Sequence, residues 1–155
     1  MVTIRPFQTQ DIPAIAQLFH DTVHTINAQD YSPAQLRAWA PDDLYFRDWE
    51  TRCHACFTYI AEEDTQILGF AELSPAGHIG CFYCHKDHQR RGIGRQLYQA
   101  LLAQADQLQL STLTVEASIT AKPFFAALGF RILQAQQVQR HQQTLTNYRM
   151  IKQLR

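Results

Sequence analysis

The sequence predicts a single α/β (α+β) domain, in which helices flank a central mixed sheet that is mostly antiparallel. Two observations lead to this prediction. The chain has 155 residues, 46% of them hydrophobic, which suits one domain with one core. Apolar residues recur first at strand spacing and then at helix spacing, without an internal repeat or a Pro/Gly-rich linker. The predicted domain therefore covers residues 1–155.

The first half of the chain predicts helices followed by an antiparallel meander. Thr9 is a candidate N-cap for a helix that extends to about His24. Ser32, Pro33 and Gln35 predict the start of a second helix, because they supply a cap, a proline in the first turn and a glutamine three residues after the cap. The other predicted elements of this half are strands at 2–6, 53–60, 66–73 and 78–84, and a short helix at 43–51.

The second half predicts the crossover helices that a mixed sheet requires. Apolar residues repeat at helical spacing after a glycine-rich loop, at Ile93, Leu97, Leu101, Ala105 and Leu108. The elements that follow are a strand around 113–115, a helix at 121–128, and strands at 130–138 and 145–151. The predicted order is therefore β-α-α-α-β-β-β-α-β-α-β-β, an α/β layer fold.

The charge balance excludes several classes of partner. The chain has 14 Lys and Arg residues and 14 Asp and Glu residues, for a formal net charge of zero. No global basic field therefore attracts nucleic acid or an anionic membrane. The first residues lack the apolar stretch of a signal peptide, and no window reaches the length of a membrane span. We expect a cytoplasmic protein with no nucleic-acid and no membrane partner.

Two CxxC pairs, Cys53 with Cys56 and Cys81 with Cys84, have the spacing of zinc ligands. No glycine follows either pair to form the tight turn that directs two thiolates at one ion. The surrounding residues instead predict strands, in which residues three apart point to opposite faces. We expect separate thiols of a reduced protein and no metal, with a zinc-binding interaction module as an alternative.

A glycine-rich segment, QRRGIG at 89–94, joins a predicted strand to a predicted helix. The N-terminus of a helix exposes unpaired N–H groups, and glycines let the backbone approach a phosphate closely. Arg90, Arg91 and Arg95 add positive charge. Dinucleotide and nucleoside triphosphate loops are disfavoured, because Leu97 replaces a third glycine and no Gly-Lys-Ser/Thr sequence is present. The segment predicts either a pyrophosphate site or an ordinary turn with solvated arginines.

The same segment matches the Q/R-x-x-G-x-G/A signature, and the chain resembles the GNAT superfamily of acyl-CoA-dependent N-acetyltransferases. Segments 82–87 and 117–130 agree with this, so the resemblance covers nearly the whole chain. It implies a GNAT-like fold, acetyl-CoA as acyl donor, and a pantetheine arm that runs between two splayed parallel strands. The residues it implies for the cofactor are Phe82, Tyr83, Cys84, Gln89, Arg90, Arg91, Gly92, Ile93, Gly94, Arg95, Ser118 and Phe125.

The resemblance also implies direct transfer, in which a neutral amine attacks the thioester carbonyl. This reaction uses a base for the amine, a donor for the oxyanion and a proton source for the thiolate. The backbone N–H of Cys84 is the expected oxyanion donor. Glu72 is the first candidate base and His78 the second, each acting through a water. The alternatives for these two side chains are a solvent-facing strand position and a turn position.

The sequence departs from the family pattern at the proton source. Much of the superfamily has a tyrosine in the helix before the Gly-Phe pair and an asparagine upstream, where this chain has Phe125 and Ser118. We therefore expect the proton to come from Tyr83, Tyr148 or water, unless the CoA thiol leaves without one. This departure keeps a non-catalytic acyl-CoA-binding sensor as an alternative function.

The acceptor that the resemblance implies is the amine of a small molecule or of a peptide, and a homodimer is allowed. By the same likeness, the first two helices and their connection contact the acceptor. The candidate contacts are His24, Asn27, Tyr31 and Trp39. An ordinary surface or packing role is the alternative for each of them.

Overall fold

One seven-stranded sheet runs through the computed structural model, which describes residues 1–155. Its strands are β1 (Thr3–Pro6), β2 (Phe57–Glu63), β3 (Gln66–Leu73), β4 (His78–Cys84), β5 (Thr112–Ser118), β6 (Arg131–Arg140) and β7 (Gln143–Gln153). Their order in the sheet is β1-β2-β3-β4-β5-β7-β6. Every neighbouring pair is antiparallel except β4 with β5, which confirms the predicted mixed, mostly antiparallel sheet.

The helices are α1 (Ile12–Thr25), α2 (Pro33–Trp39), α3 (Trp49–Ala55), α4 (Ile93–Gln107) and α5 (Lys122–Ala127). The predicted cap of α2 is confirmed, because Ser32 Oγ accepts the Gln35 N–H at 3.2 Å and Gln35 Oε1 accepts the Ser32 N–H at 2.8 Å. Thr9 is not a cap, since it begins a short 3₁₀ turn whose N-cap residue is Gln8. No helix combines the length and the apolar composition needed to cross a membrane.

The strand predicted at 53–60 is wrong in its first part, because Cys53 lies in α3 and the strand begins at Phe57. The helix predicted at 43–51 is correspondingly displaced toward the C-terminus. Asp48 caps α3 by accepting the Thr51 N–H at 3.1 Å. Trp49 and Cys53 are four residues apart and both buried, so they place one apolar helical face on the core.

Helices cover both faces of the sheet and bury a core on each. Leu97 and Leu101 of α4 belong to the core on one face. Phe19 of α1 and Trp49 of α3 belong to the core on the other face. β3 lies between the two layers and is buried from residue 68 to residue 73, as expected for a central strand covered on both sides.

β4 and β5 pair over only two residues and then separate. The parallel partners are His78 with Thr114 and Ile79 with Val115. No further pair joins the two strands, although both continue for several residues. A wedge-shaped opening therefore lies between the C-terminal ends of β4 and β5, as the predicted splayed strands require.

A β-bulge lies where the two strands begin to separate. The register between β3 and β4 shifts so that Glu72 alone faces the two residues Gly80 and Cys81. A bulge bends the strand that carries the additional residue and removes one of its N–H groups from the ladder. The bend in β4 thus coincides with the end of its pairing with β5.

Candidate active site

The opening between β4 and β5 forms a channel of about 220 Å³, which we call the apolar channel. Residues of both strands, of α1, and of the N-terminal parts of α4 and α5 line it. Seven of the residues expected to contact the cofactor are among them: Phe82, Tyr83, Cys84, Gln89, Gly94, Ser118 and Phe125. Of the other expected contacts, Ile93 is buried in the core and Arg90, Arg91, Gly92 and Arg95 are exposed in the loop or at the start of α4.

The loop before α4 ends at a helix N-terminus with free N–H groups. Gly92 is the N-cap residue and has a φ of 80°. The Gln96 N–H makes the first helical bond, to the Gly92 carbonyl at 3.1 Å. The N–H groups of the three residues between them therefore have no helical acceptor, which is the arrangement that binds a phosphate.

The two glycines of the loop meet different requirements. A Cβ on Gly92 would meet no atom within 4 Å, so only its left-handed backbone favours glycine there. A Cβ on Gly94 would lie 3.0 Å from two ring atoms of Phe124. Gly94 therefore allows α4 and α5 to approach each other, while Gly92 leaves open space in front of the helix N-terminus.

The charge around the loop is partly neutralised within the protein. Arg91 Nη2 donates to Glu63 Oε1 at 3.0 Å, whereas no acidic side chain pairs with Arg90 or Arg95. Gln89 Nε2 donates to the carbonyl of the last β4 residue at 2.9 Å. Gln89 thus holds the loop against the end of β4.

The backbone N–H of Cys84 faces away from β3, toward the opening. Cys84 lies opposite Gly69 of β3. The His85 N–H donates to the Leu68 carbonyl at 2.7 Å, so Cys84 and Gly69 form a non-hydrogen-bonded pair of the antiparallel ladder. The Cys84 carbonyl accordingly accepts from Thr22 Oγ1 at 2.9 Å. Burial raises the pKa of the Cys84 thiol to about 12, so at neutral pH it is protonated and a poor nucleophile.

A second cavity, of about 200 Å³, adjoins the apolar channel. We call it the arginine pocket, because Arg47, Arg52 and Arg140 line it, with His78 and Asn147 beside them. The residues that line both cavities are Trp39, Gly80, Tyr83, Glu116 and Ser118, and we call them the junction. A molecule in the pocket would meet a molecule in the channel at this place.

Glu72 lines neither cavity, and its side chain is completely buried. Its Oε1 accepts the Cys81 N–H at 2.8 Å, and both carboxylate oxygens accept from Arg52 Nε, at 3.0 and 3.2 Å. The bulge leaves this N–H group of β4 without a carbonyl partner in β3, and the Glu72 carboxylate accepts its hydrogen bond instead. Gly80 leaves the room for it, since a Cβ there would lie 2.8 Å from Glu72 Oε1. These surroundings do not support Glu72 as the base and indicate a structural role.

The junction contains a carboxylate, Glu116, that the sequence analysis did not consider as a base. Glu116 is exposed on β5, and its carboxylate makes no hydrogen bond or salt bridge within the protein. The available signal was its position in β5, where Thr114 and Ser118 share its face and apolar residues alternate with them. His78, the second predicted base, lines the arginine pocket, with Nδ1 2.9 Å from Thr114 Oγ1.

The predicted proton sources are separated by the fold. Tyr83 lies at the junction, where burial raises the pKa of its hydroxyl, so it keeps its proton at neutral pH. Tyr148 lines neither cavity. Phe125 lines the channel and is buried, with its ring 5.5 Å from that of Phe82 in an edge-on contact. Of the two tyrosines, only Tyr83 therefore reaches the cleft.

The predicted acceptor contacts are distributed over both cavities. Tyr31 lines the arginine pocket and Trp39 lies at the junction. Asn27 lines the apolar channel, where its Nδ2 donates to Ser118 Oγ at 3.4 Å. His24 lines neither cavity, and its Nε2 lies 2.7 Å from the carbonyl of Ala40.

The four cysteines do not converge on one point. Burial raises the pKa of Cys53 to about 12 and also raises that of Cys81, so both are thiols rather than thiolates at neutral pH. One group of His, Cys, Asp or Glu side chains is close enough to hold a metal ion; its members, His20, His24 and Asp42, include no cysteine. The CxxC pairs thus lack the arrangement of a zinc ribbon.

Known proteins resemble the chain in sequence and in structure. Residues 27–152 match the family model of the acetyltransferase (GNAT) domain. YafP of Escherichia coli K12, named an uncharacterized N-acetyltransferase, is 32% identical over 150 residues, covering 96% of this chain and 94% of YafP.

Two solved structures share the fold. A GCN5-related N-acetyltransferase from Rhodopseudomonas palustris is 33% identical and has a TM-score of 0.92, covering 98% of this chain and 95% of that chain. PaiA N-acetyltransferase from Thermoplasma acidophilum, solved in complex with coenzyme A, is 13% identical and has a TM-score of 0.80, with 99% of each chain covered. The family match extends over most of the residues that form the loop, the splayed strands and both cavities, and on that ground the chain belongs to the GNAT family of acetyltransferases.

Proposed function

We propose that the protein transfers an acetyl group from acetyl-CoA directly to the amine of a small molecule or a peptide. The observation that carries the proposal is the line of features from the N-terminus of α4, along the apolar channel, to the junction. Gln89 and Gly94 lie at the loop end of the channel, and Glu116 and Ser118 lie where it meets the arginine pocket. The helix N-terminus suits a pyrophosphate, the apolar channel suits a pantetheine arm, and the junction suits the thioester that follows it in acetyl-CoA.

The cofactor assignment has two supports. The free N–H groups that precede Gln96 suit a pyrophosphate, and the open space at Gly92 leaves room for it. PaiA, which shares the fold, was solved in complex with coenzyme A. We therefore propose acetyl-CoA as the donor, bound with its phosphates at the loop and its thioester at the junction.

We propose the backbone N–H of Cys84 as the oxyanion donor, because it faces the opening and no strand acceptor occupies it. Glu116 is the proposed base, acting through a water, since it is an exposed carboxylate at the junction. His78 is the second candidate, from the arginine pocket. Tyr83 or water supplies the proton for the thiolate. Direct transfer fits the protonated thiol of Cys84, which is poorly suited to accept the acetyl group first.

The test is thiol release from acetyl-CoA in the presence of amines of different charge, with the acetylated amine identified by mass spectrometry. We expect release that depends on the amine and a product that carries one acetyl group. Tight coenzyme A binding without release for any amine would instead favour the acyl-CoA sensor, the function suggested by Phe125 at the usual tyrosine position.

A further inference from the structure

The arginine pocket holds a cation that has no counter-ion in the protein. Arg47 is half-buried and makes no salt bridge; its one side-chain contact of hydrogen-bond type is from Nη1 to Cys81 Sγ, at 3.7 Å. Its guanidinium lies 4.8 to 5.1 Å from the ring centres of Phe46, Trp49 and Phe19, which hold it in place. A partly desolvated cation held in a fixed position favours an anion beside it.

Further donors face the same pocket. Arg52 uses only Nε for Glu72, so its Nη atoms donate to no acceptor in the protein. Arg140 is exposed at the end of β6 and donates only to the carbonyl of Gln139. The Glu72 carboxylate neutralises one of the three guanidinium groups, which leaves the pocket with a net positive charge away from the junction.

The junction carries a negative charge, in contrast to the rest of the arginine pocket. Glu116 is the only acidic side chain that lines the arginine pocket, and it is shared with the apolar channel, whereas the three arginines are not. Asn147 lines the arginine pocket and pairs across the sheet with Ser118 of the junction; its Oδ1 is the only buried side-chain polar atom without a hydrogen-bond partner. A buried acceptor without a partner indicates a missing donor, and an amine N–H is such a donor.

We propose that the acceptor is a primary amine that also carries an anionic group, a carboxylate or a phosphate. The inference rests on the proposed acetyl transfer. The anion binds Arg47, Arg140 and the free Nη atoms of Arg52, and the amine lies at the junction beside Glu116. This orientation places the nucleophile toward the apolar channel and the anion away from it.

The test compares pairs of amines that differ only in the anionic group. Glycine, alanine, phenylalanine and β-alanine are compared with their amides, and phosphoethanolamine with ethanolamine, at fixed acetyl-CoA. We expect kcat/KM to be at least about 10-fold higher for the anionic member of a pair, as for one charge-assisted contact of about 1.4 kcal/mol or more. The amides have less basic amines and hence more free base, so amine basicity alone would favour them. Carboxylate pairs and the phosphate pair together distinguish the two anions.

Two substitutions locate the preference. Arg47→Met keeps an apolar stem against the three rings and removes the charge, and Arg140→Gln removes an exposed charge with little effect on folding. Each is expected to raise KM for the anionic amine about 10-fold or more and to leave KM for the neutral partner and the Kd for coenzyme A unchanged. Arg131→Gln is the matched control, because Arg131 is exposed on the same strand as Arg140 but lines neither cavity.

Failure of this inference can be distinguished from failure of acetyl transfer. Equal or better turnover of the neutral amines, or an anion preference unchanged in both arginine variants, would overturn the inference and leave acetyl transfer in place. If no amine is turned over, N-acetylated amino acids and their amides are titrated into the coenzyme A complex. Binding of the acids that is lost in Arg140→Gln would support the anion site, and no preference for acids over amides would overturn it.

Discussion

Glu72 and Glu116 are both strand carboxylates near the cleft, but their surroundings give them different chemistry. Glu72 is enclosed and bound to Arg52 and to the Cys81 N–H, whereas Glu116 is exposed at the junction. The sequence could predict that carboxylates lie on these strands. It could not predict which of them is accessible, because the bulge opposite Glu72 depends on the pairing of β3 with β4.

Replacement of the two glutamates should separate catalysis from structure. Glu116→Gln removes the proposed base, so we expect kcat/KM to fall about 10- to 1,000-fold at a pH where the amine is protonated. The loss should shrink as the pH rises, since more of the amine is then neutral without enzymic help. Steady-state rates between about pH 6 and about pH 10, the range over which ordinary amines begin to lose their proton, measure this.

Glu72→Gln should behave differently, because it disturbs the pair with Arg52 rather than a proton transfer. We expect the free energy of unfolding to fall by about 1–3 kcal/mol, less than for a fully buried pair because the Arg52 side chain is 38% exposed. Any loss of rate should persist at high pH. A stable Glu72→Gln protein whose rate recovers with pH would return the role of base to Glu72, and an unaffected Glu116→Gln would direct attention to His78→Ala.

At the scale of elements, the N-terminus of α4 and the divergence of β4 from β5 together form the candidate site. The helix could be predicted from its apolar period and its glycines, and the structure confirms it from Ile93 onward. The boundary between α3 and β2 was predicted incorrectly. The residues around Cys53 favour a strand, but the cap at Asp48 and the burial of Trp49 favour a helix. Burial in the tertiary structure determines the secondary structure of such short segments, and local sequence does not reveal this burial.

Gly92→Ala tests the anion site at the start of α4. The added methyl group has open space in the free protein but occupies the place proposed for the pyrophosphate, so the Kd for coenzyme A should rise about 10-fold or more. The positive φ of 80° should also cost about 1–2 kcal/mol of stability. Titration calorimetry and thermal unfolding measure the two effects.

Gly129→Ala is the matched control for Gly92→Ala. Gly129 has a φ of 98° and lies after α5, outside the lining of both cavities. Its substitution should lower stability by a similar amount and leave the Kd for coenzyme A unchanged. Equal Kd values for Gly92→Ala and the unsubstituted protein would place the pyrophosphate elsewhere.

At the scale of the whole molecule, the order of strands and helices was predictable because each long element has its own apolar period. The apolar channel was expected only from the resemblance to the GNAT superfamily, and the arginine pocket was not expected, since both cavities arise from the register of one bulge and from two residues of parallel pairing. The acceptor, the oligomeric state and the assignment of residues 1–155 to one domain stay predictions. Buried thiols distributed over α3 and β4 link the stability of the fold to pH.

The free energy of unfolding should fall as the pH rises from about 9 to about 12. Burial raises the pKa of Cys53 and of Cys84 from an ordinary 9.0 to about 12. In this window the unfolded chain has released these protons and the folded chain has not, so the unfolded state binds fewer protons and gains relative stability. Urea unfolding at several pH values measures the slope. Cys53→Ala should reduce the slope of the free energy of unfolding against pH by the contribution of one proton. An unchanged slope would contradict a raised pKa at Cys53.

Direct transfer of the acetyl group across the junction is the central step of the proposed reaction. The protein is mixed with acetyl-CoA, and the masses of the intact protein and of an added amine are measured before and after one turnover. We expect no acetyl group on the protein at any time, and one acetyl group on the amine for each thiol released. An acetylated protein that forms without the amine and then transfers its acetyl group, or thiol release without acetylated amine, would contradict direct transfer.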